Sequence, residues 1–254
     1  MRRPHGALRD YVHRYVGYRI EGGAPGIHRG LPSRRPEFLV RFDEPAAFIA
    51  GLRTRPALVP HGGRHNGIAI DLTVRGTRAL FGIPAGALTG AVAGLDDLVH
   101  GCGRRLVERV AERATWEERF RILDETLLAS LRPRREPAPE ILRAWQLLTD
   151  PEPPGVGSLA REVGWSRRHL TEMFRREIGL PPRQFLRVLR FERSCRLVRA
   201  VPRMPMTEAA LRAGYYDHAH MLHEWHRLAG CRPEQWLAEE LLSVQAEADR
   251  RPLP

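Results

Sequence analysis

Arg167, Arg168, Thr171, Glu172, Arg175 and Arg176 lie at spacings that place them on one polar side of a helix, opposite Leu170, Met173 and Phe174. A guanidinium fork matches two acceptors at once, such as the major-groove edge of guanine, while a carboxylate such as Glu172 accepts from a cytosine amino group. About fifty residues later His218, Ala219, His220, His223 and Arg227 present a second such face with a milder, imidazole-rich chemistry. A solvated face of an ordinary helical bundle would account for either set alone. Both together, each behind the same kind of turn, point to a reader of nucleic-acid grooves.

The turns are explicit. Gly214-Tyr215-Tyr216-Asp217-His218-Ala219-His220-Met221 reads as a turn, an Asp cap and a helix that buries Met221 and Trp225, ends at Gly230 and restarts after Pro233. Its histidines are expected either to take up protons beside phosphate, tightening binding as pH falls, or, for one or two rings, to pack neutral against Trp225 or Tyr215. The same plan stands in Val163-Gly164-Trp165-Ser166-Arg167-Arg168-His169-Leu170, followed by Phe174, Gly179 and Pro182. There Ser166 is the expected cap, and a supporting helix capped by Ser158 runs to Val163. Between the units, Arg183 to Ala200 predicts a connecting helix of eighteen residues, roughly 27 Å long. Successive major grooves on one DNA face are about 34 Å apart, the same order. Arg183, Arg187 and Arg190 share one side of that helix, open to phosphate or to solvent.

Composition supports a polyanionic partner. The 254 residues carry a formal charge of +11, and all 41 basic residues are Arg, which a GC-rich genome explains as well as selection does. The local excess is more telling: twelve arginines against four glutamates between Ser158 and Arg203. Cys102, Cys195 and Cys231 are far apart and in no CxxC pair, so neither a disulfide framework nor a cysteine zinc site is expected. No GxSxG, P-loop, GxGxxG or HExxH motif occurs, and no cofactor or catalytic residue is expected. Without an apolar run behind the N-terminal arginines or eighteen apolar residues anywhere, the expectation is a soluble cytoplasmic protein with no membrane partner.

Ahead of the two units the texture differs. Residues Tyr11 to about Pro84 are rich in Gly, Pro and short apolar runs, with strands predicted at Glu37–Phe42, Ala57–Pro60 and Ile68–Val74 in a small sheet or barrel. After Pro84 the pattern turns helical. Leu106-Val107-Val110 and a capping-box spacing at Thr115-Trp116-Glu117-Glu118 predict two helices that pack on each other or on a second subunit. The run Pro133 to Pro139 is the expected linker, dividing residues 1–133 from 138–245, with a helix following from about Glu140 to Thr149. His28 and Arg29 suit an anionic effector or the capping of a turn, and His61 and His65 are further effector candidates. A metal is not expected there, because the Gly-rich loop between the latter two fixes no geometry.

Leu159-Ala160, Gly164-Trp165-Ser166, His169-Leu170, Phe174, Gly179, Pro182, Arg190, Ala210, Gly214-Tyr215, Asp217, Met221, Trp225, Gly230 and Pro233 together resemble the C-terminal domain of AraC/XylS-family transcription regulators, over roughly Glu140 to Glu240. The resemblance implies an α+β protein: a β-rich N-terminal sensor domain with a helical hairpin, then an all-α domain of two helix-turn-helix units joined by a long helix. It implies a double-stranded DNA operator and a small-molecule effector as partners, and leaves a homodimer and contact with RNA polymerase open. Arg168, Thr171 and Glu172, with His218, Ala219 and His223, match the family's base-reading positions. Leu237 stands where a closing Arg is common in the family. The competing expectation, a DNA-modifying or repair protein with such a DNA-binding half, needs a zinc-activated cysteine set, and only Cys102 lies in the N-terminal half.

Overall fold

The computed structural model describes residues 2–20, 25–98, 102–131, 136–200 and 204–239. Six strands come first: Val12–Ile20 (β1), Gly26–Gly30 (β2), Glu37–Arg41 (β3), Ala46–Ala50 (β4), Ala57–His61 (β5) and His65–Leu72 (β6). Gly76–Phe81 (α1), Val92–Gly94 (β7), Leu95–Leu98 (α2), Cys102–Ala111 (α3) and Trp116–Ser130 (α4) follow. The remainder is helical: Pro139–Thr149 (α5), Val156–Glu162 (α6), Arg167–Ile178 (α7), Pro182–Ala200 (α8), Met206–Ala213 (α9) and His218–Ala229 (α10). The expected switch from strand to helix at Pro84 is less clean than its composition suggested, since α1 precedes that residue and β7 follows it.

The strands make two sheets rather than one. Five run in the order β1-β6-β3-β4-β7, with Phe38 of β3 opposite Ile49 of β4 on one side and Ile70 of β6 on the other. Period-two alternation turns Phe38 and Val40 into the core, both fully buried. β2 and β5 pair separately and antiparallel, setting His28 opposite Val59 and Arg29 opposite Leu58. Contacts cluster the chain into two compact units: residues 1–18, 35–52 and 66–183, and residues 19–34, 53–65 and 184–254. The expected linker falls in part on residues 132–135, outside the described set, and α5 opens at Pro139 with proline in its first turn.

In the first unit α3 packs on α4 and on β4. Leu106, Val107, Val110, Phe120, Leu123 and Leu127 all join the sheet's core and are buried. Each such side chain contributes about 1.5–3 kcal/mol. These six side chains are therefore committed within the chain, while Leu128 and Leu131 of the same stripe are only partly buried against that core. Thr115 closes the predicted capping box: its hydroxyl accepts from the Glu118 N–H, and the Glu118 carboxylate accepts from the Thr115 N–H. In the second unit Phe191, Ala210, Tyr215, Met221, Trp225 and Trp236 form a core. The buried Trp225 Nε1–H donates to Ser194 Oγ at 2.8 Å, and that hydroxyl donates to the Phe191 carbonyl at 2.7 Å.

Candidate nucleic-acid interface

The same turn is built twice, fifty residues apart. Gly164 N–H donates to the Arg161 carbonyl and Trp165 N–H to that of Ala160; Gly214 N–H donates to Leu211 and Tyr215 N–H to Ala210. Both glycines have positive φ, 72° and 91°, a conformation that a side chain would resist. The caps follow as expected, with Ser166 Oγ accepting from His169 N–H at 3.2 Å and Asp217 Oδ1 from His220 N–H at 2.7 Å. The supporting helix α6 differs from expectation: it opens at Val156 behind Gly155, and Ser158 lies inside it. A glycine cap carries no side-chain signal, and Ser158 is the nearest residue that does.

The second turn is one residue longer. Tyr216, 86% exposed, is the addition. Beyond it equivalent positions are fifty-one apart, so Leu170 corresponds to Met221, Phe174 to Trp225 and the left-handed cap Gly179 to Gly230, with the first four side chains all fully buried. The buried side of each recognition helix fixes which residues remain outside.

On α7, Arg167, Arg168, Glu172, Arg175 and Arg176 are exposed and Thr171 is half-buried. Arg167, Arg168, Thr171, Glu172 and Arg175 line a shallow, open concavity with Pro181. The Thr171 hydroxyl donates to the Arg167 carbonyl at 2.7 Å, which commits its proton to the helix backbone. Among the described residues, none of the four arginines has an ion-pair partner. On α10, Ala219, His223 and Arg227 are exposed and His218 is half-buried.

His220 corrects the expected face. It occupies the place of His169, and each ring meets the aromatic residue of its own turn edge-on: Trp165–His169 at 4.6 Å and Tyr215–His220 at 5.3 Å. His220 Nδ1 also accepts the Tyr216 N–H at 3.4 Å. This histidine braces the turn. His226, exposed and equivalent to Arg175, lies one helical turn from His223 and joins the face instead.

Charged anchors hold α10. Arg187 donates two bonds of 2.9 Å to the Glu224 carboxylate, which removes Arg187 from the phosphate contacts considered for α8. Burial pushes the Glu224 carboxyl up, but the Arg187 hydrogen bond and charge bring it below the ordinary carboxylate value. Arg190 lies over the Tyr215 ring at 5.7 Å, while Arg183 is exposed.

His28, His61 and His65 do come together, with ring centroids 5.0 Å apart for His28–His65 and 5.9 Å for His61–His65. Their planes are inclined at 30° and 27°, and among the described residues no group of three or more His, Cys, Asp or Glu is placed to hold a metal ion. Arg29, open in the sequence to an anionic effector or to the capping of a turn, is engaged by acceptors of the protein itself. Its Nε and Nη2 donate to Glu239 at 3.0 and 3.2 Å, and Nη1 donates to the Ala229 carbonyl at 2.9 Å. No helix among the described residues is long and apolar enough to cross a membrane.

A family model described as a helix-turn-helix domain matches residues 159–239. No curated protein matches the chain. Among solved structures, ToxT from Vibrio cholerae is similar over 89% of this chain and 97% of its own, at 9% identity and a TM-score of 0.50. An AraC-type transcriptional regulator from Chromobacterium violaceum is similar over 40% of this chain and 91% of its own, at 23% identity and a TM-score of 0.37. The DNA-binding domain of AdpA, solved in complex with a target DNA, is similar over 46% of this chain and all of its own, at 26% identity and a TM-score of 0.36. The likeness to ToxT extends over the β-sheet region as well as the helices, and residues 159–239 of this chain are a helix-turn-helix domain.

Proposed function

We propose that this protein is a sequence-specific transcription regulator, reading DNA with α7 and α10 under the control of a small-molecule effector. The observation that carries the DNA reading is the duplicated unit itself: turn, cap and buried pair recur, and each time a polar face is left outside. In the first unit Arg168 and Glu172 read base edges, Thr171 offers a methyl, and Arg175 and Arg176 meet phosphates. In the second, Ala219 and His223 read bases beside His218, while His226 and Arg227 approach the backbone. The AdpA domain's complex with a target DNA is in keeping with this role. For the effector, His28, His61 and His65 supply a cluster of imidazole donors and acceptors suited to a small polar or anionic molecule.

Selection of duplexes from fragmented genomic DNA by the purified full-length protein tests the reading. Enrichment of one recurring motif, protected in a footprint, is expected; capture without sequence preference overturns it. Repeating the selection with candidate metabolites tests effector control, and His61→Ala should abolish any response found.

A further inference from the structure

The C-terminal end of each recognition helix is held by an arginine from the β-sheet half of the sequence. In the first unit Arg78, in α1, donates Nε and Nη2 to the two carboxylate oxygens of Glu177 at 2.8 and 2.7 Å, and Glu177 is buried. Thr89 Oγ1 lies 2.9 Å from the Gly179 carbonyl and 2.8 Å from that of Gly86, so its single proton is shared between the end of α7 and its own turn. Gly86 sits so close to the Arg175 and Arg176 carbonyls that a Cβ there would approach them to 2.6 and 2.1 Å. In the second unit the Arg29 guanidinium donates to the Ala229 carbonyl, one residue before the cap Gly230, and is locked by Glu239. Arg34 adds a backbone N–H to Glu192 of α8 at 2.7 Å.

Such contacts do more than add stability. A bidentate arginine–carboxylate pair fixes direction as well as distance, and a cation at a helix C-terminus complements the dipole. Glu177 lies on the same helix as Arg168 and Glu172, so its clamp sets the pitch at which those side chains are presented. We propose that Arg78 is a positioning residue for DNA reading by α7, and that Arg29 does the same for α10. The N-terminal half is thereby a holder of both recognition helices, and a ligand that shifts α1 or β2 is felt at the bases. This rests on the DNA-reading function above.

The test uses the full-length chain as Arg78→Met, Arg78→Lys, Thr89→Val, Glu177→Arg and the exchanged pair Arg78→Glu/Glu177→Arg. Affinity is measured for the selected operator and for the same duplex with the α7 half scrambled. Arg78→Met should lose about tenfold in discrimination at that half while binding scrambled DNA as before. Arg78→Lys, a point charge without the fork, should fall between, and the exchanged pair should recover what Glu177→Arg loses. Amide exchange of residues 175–180 without DNA should speed up in Arg78→Met and Thr89→Val and return in the exchanged pair. Unchanged discrimination in folded Arg78→Met, or no recovery in the exchanged pair, overturns the clamp. If the parent binds no duplex selectively, the DNA reading fails instead, and the exchange rates still decide whether Arg78 holds α7.

Discussion

Arg168 and Arg175 carry the same charge on one helix, yet the proposed DNA reading gives them different work. Arg168 is the second residue of α7, in the first turn, where a groove-bound helix meets base edges; Arg175 is in the last turn, where such a helix approaches phosphate. Arg168→Ala should relax preference at particular base pairs, at a cost on the order of 1–3 kcal/mol, whereas Arg175→Ala should weaken all duplexes alike. Competition between the operator and single-base variants separates the two, and identical specificity profiles would defeat the assignment. Buried residues make a cleaner case. Ser194→Ala strips the Trp225 Nε1–H of its acceptor inside a core, leaving an unsatisfied donor worth about 1–3 kcal/mol. Thermal unfolding should register that loss with the operator preference of the folded protein intact.

At the scale of elements, Arg187 and Glu224 tie α10 to α8. Because the folded carboxyl of Glu224 lies below its ordinary value, the pair's contribution is complete at pH above that value and disappears as pH falls through the depressed one. Arg187→Met leaves a buried, unpaired carboxylate, a loss of about 1–3 kcal/mol at neutral pH. The gap in melting temperature between parent and variant should then narrow on acidification; a constant gap would mean that Arg187 acts by packing alone. What was legible in the sequence follows from range. The caps Ser166 and Asp217, the box at Thr115 and the stops at Gly179 and Gly230 all rest on bonds within a few residues, and they stand where the residues predicted. His220 turned out otherwise because its partner Tyr215 belongs to the turn, so helical spacing alone assigned it to the open face. Arg29 and Arg78 were illegible as clamps, since their carboxylate partners lie 210 and 99 residues away. The separate pairing of β2 with β5 is a long-range choice of the same kind.

Over the whole molecule, the count of 41 arginines overstates what a duplex meets. Arg2, Arg14, Arg29, Arg41, Arg78 and Arg187 are paired with carboxylates inside the protein. The Arg143–Glu162 pair, though half-exposed, is likewise internally compensated. By contrast Arg167, Arg168, Arg175 and Arg176 stand together on α7 with no such partner among the described residues. Counterion release then ties affinity to these few side chains rather than to net charge. If all four reach phosphate or the groove, they contribute a slope of roughly −3 to −4 in log affinity against log salt. Replacing Arg175 or Arg176 by Gln should flatten that slope by about one unit each. Arg143→Gln, which removes the same formal charge from a paired site, should leave it unchanged. Filter binding at salt concentrations from about 50 to 200 mM distinguishes the cases. Equal flattening by all three substitutions would mean that the duplex senses overall charge and that α7 has no privileged contact, whereas a difference confined to Arg175 and Arg176 puts the phosphate backbone along that helix.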